Sequence, residues 1–176
     1  MNKNGVTLVE FTFALIIGSI LVLVMTCQFV AWQKGMNIIR DQIDALNAAS
    51  MVIHTVTRFI RVADPDSINT NPIPPHIVAT IQPGYLNDIT SPTTFTFSWQ
   101  SGAHRAFVWN NETTGGSHTI VAGDNTTGDA VVTEFIATKD PNWASGTHIV
   151  TLKVTAQRGS QTCSLETRIF VLPKTP

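Results

Sequence analysis

Apolar and polar positions along the chain fall into three regimes. From Val6 to Trp32 the run is apolar throughout; Leu15 to Met25 is broken only by Gly18 and Ser19, and Glu10 is the only charged side chain between Lys3 and Lys34. As a helix that run would span about 40 Å, more than the ~30 Å of a hydrocarbon core. The first regime therefore predicts a membrane segment. In the second, Met36, Ile39, Ile43, Leu46, Ala49, Ile53, Val56, Ile60 and Ala63 recur at steps of three and four, the period of one helix face. Asn37, Arg40, Asp41, Asp44, Asn47, Thr55 and Arg58 supply the solvated side. Proline is absent before Pro65, so one rod from Val6 to about Ala63, roughly 87 Å long, is expected. Arg58 and Arg61 suit the negative end of its dipole, and Asp64-Pro65 stops it because the residue before proline is pushed out of the helical region.

Beyond Pro65 the period falls to two. Phe95, Phe97 and Trp99 alternate with Thr94, Thr96 and Ser98, and Gln100-Ser101-Gly102 can turn the chain back into a strand from Arg105 to Asn110. Val150, Leu152, Val154 and Ala156 alternate with polar residues, turn at Arg158-Gly159-Ser160, and return through Cys163, Leu165, Thr167, Ile169 and Val171. Val131 to Lys139 gives a further strand, with shorter ones at His118 to Ala122 and Ile77 to Ile81. The expected class is α+β: a long N-terminal helix packed on a small, mostly antiparallel β-sheet domain over residues 64–176. The stripe of residues 36–63 would cover the apolar face of that sheet.

Charge and composition narrow the function. Twelve acidic against eleven basic side chains give a net charge of -1, and 43% of residues are hydrophobic. This excludes a disordered tail, and no nucleic-acid site is evident. Lys3 on the short side fits a cytoplasmic N-terminus and an extracytoplasmic remainder, although Lys34 lessens the contrast. Cys27 and Cys163 cannot make a disulfide scaffold or a four-ligand zinc site; each reads as a small apolar residue.

Enzyme chemistry finds little support. His54, His76, His104, His118 and His148 never fall at metal-ligand spacing, no Gly-x-Ser-x-Gly elbow occurs, and no carboxylate pair stands out. The oxygen-rich loop from Asp124 to Asp129 is a weak calcium candidate that lacks the EF-hand spacing, so a simple turn is the competing reading. Asn111 and Asn125 open glycosylation sequons. Trp99, Phe107, Trp109 and Trp143 would make a binding patch if exposed, but strand alternation turns some of them inward. Neither an enzyme nor a cofactor is expected.

The N-terminus is more specific. Gly5-Val6-Thr7-Leu8-Val9-Glu10-Phe11 resembles the processing site of type IV prepilins and type II secretion pseudopilins, a short leader ending in glycine followed by Thr, Leu and Glu at the second, third and fifth mature positions. The resemblance covers about the first 30 residues. It implies a leader of residues 1–5, a membrane and filament-core half over 6–33, an amphipathic half over 34–63, and the globular domain after them. It further implies cleavage after Gly5 by prepilin peptidase, methylation of the new amine at Val6, which stands where the family usually has phenylalanine, and assembly through Val6, Thr7, Leu8 and Glu10. The partners implied are sibling major and minor pilins or pseudopilins and the lipid of the cytoplasmic membrane. The helix end Arg58-Phe59-Ile60-Arg61-Val62-Ala63-Asp64, the single cysteine outside the membrane segment and the closing hairpin 149–172 look more like PilW-type minor pilins and J-type minor pseudopilins.

Residue chemistry adds its own reading of Glu10. A carboxylate inside a membrane helix is costly and calls for a partner, and the only cation within mature residues 6–33 would be the amine at Val6. If subunits stack with an axial offset, Glu10 of one meets the amine of another. Three readings compete: a simple bitopic anchor with Glu10 among the headgroups, a lipoprotein leader ending before Cys27, and a membrane-tethered binding module that never polymerises.

Overall fold

The structure, a computed structural model, describes residues 7–72, 75–84, 89–100, 105–123 and 129–172. A helix α1 (Leu8–Ile60) is followed by strands β1 (Asn69–Pro72), β2 (Pro75–Ile81), β3 (Thr93–Gln100), β4 (Arg105–Asn111), β5 (Gly116–Gly123), β6 (Val131–Lys139), β7 (Ile149–Arg158) and β8 (Gln161–Phe170). The chain forms two compact units divided between Arg40 and Asp41. Residues 41–60 of α1 thus belong with the strands.

The class is α+β, with the strands divided between two antiparallel sheets, ordered β1-β2-β3-β4-β5 and β6-β7-β8. Period-two patterning assigns each residue a face but not a sheet, which is why one sheet was expected. Both inner faces are apolar, and their aromatic residues meet: Phe107 on β4 lies 4.8 Å, centroid to centroid, from Phe135 on β6. Bulges at Phe107/Val108 and Val132/Glu134 interrupt the ladders at these two strands.

The helix covers both sheets with a stripe that keeps Ala49, Val56 and Ile60 of the expected one and departs from its N-terminal half. Ala45, Ala49, Val52, Val56 and Ile60 are buried, whereas Met36, Ile39, Ile43 and Leu46 remain 43–51% exposed. Alanines and valines fill the covered face, and the bulkier Ile39 and Ile43, on a neighbouring face, are left outside. Phe59 extends the contact, its ring 4.9 Å from Phe95, 5.4 Å from Phe97 and 5.5 Å from Trp109.

The regular helix stops at Ile60, three residues before the expected end. The next residues tighten into i→i+3 bonds, Val62 N–H donating to Phe59 O and Ala63 N–H to Ile60 O, both at 3.3 Å. Leu172 N–H then caps the Arg61 carbonyl at 3.2 Å, so the end of the described chain closes the end of the helix.

The β7–β8 turn is tied to the helix as well. Gly159 (φ 54°) takes the positive φ that a two-residue hairpin needs at its first central position. Beside it Arg158 pairs with Asp41, at 3.2 Å, and with Asp44, and Gln42 Nε2 donates to Gln161 Oε1 at 3.1 Å.

Candidate functional site

The site that the sequence singles out begins at the first turn of α1. Thr7 precedes the helix with its hydroxyl placed to cap it, and Glu10 lies three residues on, the spacing of a reciprocal capping box. Both halves are present. Glu10 N–H donates to Thr7 Oγ1 at 3.3 Å, while Glu10 Oε2 accepts from Thr7 N–H at 2.9 Å and from the Thr7 hydroxyl at 3.0 Å. Sequence reasoning read Thr7 and Glu10 only through the family resemblance and missed this contact. The signal was present as Thr7-Leu8-Val9-Glu10 before an apolar run.

Leu8 follows as the first helical residue, 83% exposed. Gly5 and Val6, the expected cleavage and methylation positions, lie outside the described residues, so their geometry relative to Glu10 is not part of the site described.

From Phe11 to Trp32 the helix carries no charged residue and is apolar on every side. Phe11, Phe13, Leu15, Ile20, Leu23 and Met25 are all more than half exposed, and an 18-residue window reaches a mean hydropathy of 2.5 with no residue buried. A helix hydrophobic all round is stable only when another apolar phase covers it. The hydroxyls in this stretch agree with that environment. Thr12 Oγ1 donates to Leu8 O, Ser19 Oγ to Ile16 O and Thr26 Oγ1 to Val22 O, each at 2.8 Å. Each polar side chain of that type thus satisfies itself on its own helix, as a medium without water demands. The long apolar helix is accordingly compatible with a membrane anchor, and Cys27 is one of its exposed residues.

The remaining candidates occupy structural positions. Phe107 is fully buried, Trp99 and Trp109 are half-buried against the core, and Trp99 Nε1 donates to Val132 O at 2.8 Å. The four aromatic residues are therefore not one exposed patch. His118 stacks on Trp109 with centroids 4.7 Å apart, and His148 meets Trp143 edge-on at 5.0 Å. Asn111 Oδ1 accepts from the N–H groups of Thr113 and Thr114 at 3.0 and 3.1 Å, which fixes the β4–β5 turn.

Asp124 and most of the calcium-candidate loop lie outside the described residues; Asp129 is engaged in an interaction of its own. Among the described residues no group of three or more His, Cys, Asp or Glu side chains is placed to hold a metal. Cys163, on the inner side of β8, is half-buried.

On β6, Glu134 accepts from Lys153 Nζ at 2.9 Å and from the Thr155 hydroxyl at 2.9 Å. These two bonds, that from Lys153 first, hold its carboxyl below the ordinary glutamate value. The pair lies on the solvated face of the smaller sheet, and among the described residues the ion pair and the Thr155 bond are the contacts of its carboxylate.

No family model, curated protein or solved structure matches the chain.

Proposed function

We propose that this chain is a structural assembly subunit of the pilin type, anchored in the cytoplasmic membrane through α1 and drawn into a type IV pilus-like filament or type II secretion pseudopilus as a minor member. Prepilin peptidase removes residues 1–5 and methylates the amine of Val6. Helix packing along the apolar half and the contact between Glu10 and a neighbour's Val6 amine then drive incorporation. The globular domain faces away from the cytoplasm and sets lateral specificity toward sibling subunits.

The observation that carries this reading is the position of one carboxylate in the first turn of α1, five residues after Gly5, where the stretch as far as Trp32 is otherwise free of charge and exposed. Such a carboxylate is costly in lipid unless a cation meets it, and a freshly exposed amine is a cation that processing would create. The hydroxyls that bond back onto α1 support a lipid or helix-packed setting for the same segment.

One observation favours a second reading. Thr7 already gives Glu10 two donors within its own chain, so a membrane-tethered module that never polymerises would keep the acid as a cap. Mass spectrometry of protein extracted from its native membrane separates the two. The assembly reading expects a chain that starts at methylated Val6, and a Gly5→Asp variant that retains its leader. An intact Met1, a lipidated Cys27, or normal trimming of the Gly5→Asp variant overturns it.

A further inference from the structure

One of the two glycosylation sequons, Asn111-Glu112-Thr113, lies wholly within the described residues, at the turn that joins β4 to β5. Such a triplet arises readily by chance, so its setting has to give it meaning: an accessible turn outside the cytoplasm, with the amide nitrogen free to react. The turn supplies that setting. Asn111 closes β4 opposite Gly116, Gly115 N–H donates to Asn111 O at 2.8 Å, and Glu112, Thr113 and Thr114 between them are exposed.

The two ends of the Asn111 carboxamide differ. Its Oδ1 accepts from Thr113 N–H at 3.0 Å and from Thr114 N–H at 3.1 Å, which holds the group in one orientation. Its Nδ2 donates to no described residue. The buried side-chain atoms without a partner among the described residues are Thr57 Oγ1 and His148 Nδ1, so the unbonded Nδ2 of Asn111 stands open to solvent. Thr113 Oγ1 accepts from Thr94 N–H at 3.2 Å, and its own proton remains available for the hydroxyl recognition that a sequon requires.

We propose that Asn111 is the acceptor of an N-linked glycan delivered by a transferase from a polyprenyl diphosphate donor. Nδ2 attacks C1 of the donor sugar and the N–C1 bond forms. The C1–O bond to the diphosphate breaks, its electron pair leaves with the lipid diphosphate, and a base of the transferase takes the amide proton. As that proton leaves, negative charge spreads from the nitrogen to Oδ1, where two backbone N–H donors are already in place. Asn125 lies outside the described residues and has no part in the argument. The inference rests on the extracytoplasmic placement of the globular domain, and it holds equally for a filament subunit and for a tethered module.

The test uses the full chain extracted from its native membrane, treated with a peptide N-glycosidase in heavy-oxygen water and then cleaved after Glu112, which separates Asn111 from Asn125. Mass spectrometry is expected to show a glycan before treatment and a heavy-oxygen aspartate at position 111 after it. Thr113→Ala keeps Asn111 and both backbone donors and is expected to lose the modification, whereas Thr113→Ser keeps it. Placement is read separately, from labelling of the exposed position in Thr162→Cys, in a Cys27→Ser and Cys163→Ser background, by a membrane-impermeant maleimide on intact cells. A labelled Thr162→Cys protein with Asn111 unmodified overturns this inference alone; an unlabelled one overturns the extracytoplasmic placement and the inference with it. Heavy oxygen at Asn125 alone, a sugar that survives the glycosidase, or a modification that persists in Thr113→Ala would each overturn the proposal as well.

Discussion

The guanidinium Nε of Arg158 lies 3.2 Å from Oδ1 of Asp41, an ion pair that joins the last residue of β7 to the helix at the start of the strand-bearing unit. Both side chains are about one quarter to one third exposed, so the pair is shielded enough to count yet still screened by water. Asp44 shares the same guanidinium from one turn further on. The two carboxylates repel each other unless Arg158 is present, and Gly159 allows the turn to come this close: a Cβ at that position would sit 3.2 Å from Asp41 Oδ2.

Arg158→Met therefore leaves two adjacent carboxylates without their cation. The expected loss is about 1–2 kcal/mol of unfolding free energy, read from chemical denaturation of the domain. Adding Asp41→Asn should restore part of that loss by removing one of the repelling charges. An Arg158→Met protein as stable as the parent would show that the pair contributes nothing.

The helix face that carries the packing gives a second prediction. Ile60 is fully buried between helix and sheets, and Ile43 is half-exposed. Ile60→Ala is expected to cost about 2–5 kcal/mol through lost contacts and the cavity left behind, while Ile43→Ala should change stability by about 0.5 kcal/mol or less. Equal effects in thermal unfolding would mean that the stripe read from the sequence, rather than the observed one, faces the sheets.

That contrast also marks how far the sequence could be read. Alternation placed β3, β4, β6, β7 and β8 to within a residue or two because each carries a clean apolar side and a turn at its end. The helix was legible for the same reason, and its buried face in part: Ala49, Val56, Ile60 and Ala63 are buried as expected, whereas Ala45 and Val52 were missed. Ala45 is too small to stand out in a hydrophobic pattern, and Val52 lies one position before the Ile53 that the period selected. β1 went unseen because Asn69 to Pro72 has no alternation at all; it forms by pairing with β2 at a sheet edge, where proline is tolerated. At the candidate site, Glu10 was identified from its charge in an apolar run. Its bond to Thr7 depends on a capping geometry that hydrophobicity does not encode.

Acid titration gives a third prediction. The Lys153 ammonium and the Thr155 hydroxyl hold the Glu134 carboxyl below the ordinary glutamate value of 4.5. A carboxyl depressed in the folded state contributes stability that is fully present above its unfolded pKa and is lost as pH falls through the lower folded one. The window thus opens at about pH 4.5 and extends downward. Because Glu134 and Lys153 are both more than two fifths exposed, the effect on stability is expected to be small. The titration itself is the sharper readout: a carbon-detected NMR titration should place Glu134 below a free glutamate, and Lys153→Met should move it back up. A Glu134 titration unmoved by that substitution would assign the depression elsewhere.

The last prediction separates the two roles open to Glu10. As a cap it needs only an oxygen that accepts from Thr7 N–H and the Thr7 hydroxyl, now at 2.9 and 3.0 Å. A glutamine amide oxygen supplies that acceptor in the same place. As the partner of a neighbour's amine it needs the negative charge, which glutamine lacks. Glu10→Ala removes both functions and Glu10→Gln only one. Both variants are expected to insert in the membrane, because the apolar run from Phe11 to Trp32 is untouched. If assembly depends on the charge, both fail to enter filaments when sheared fractions are probed against membrane fractions. Glu10→Gln protein incorporated at the parent level would leave the acid as a helix cap and remove the charge-pairing basis of the assembly reading.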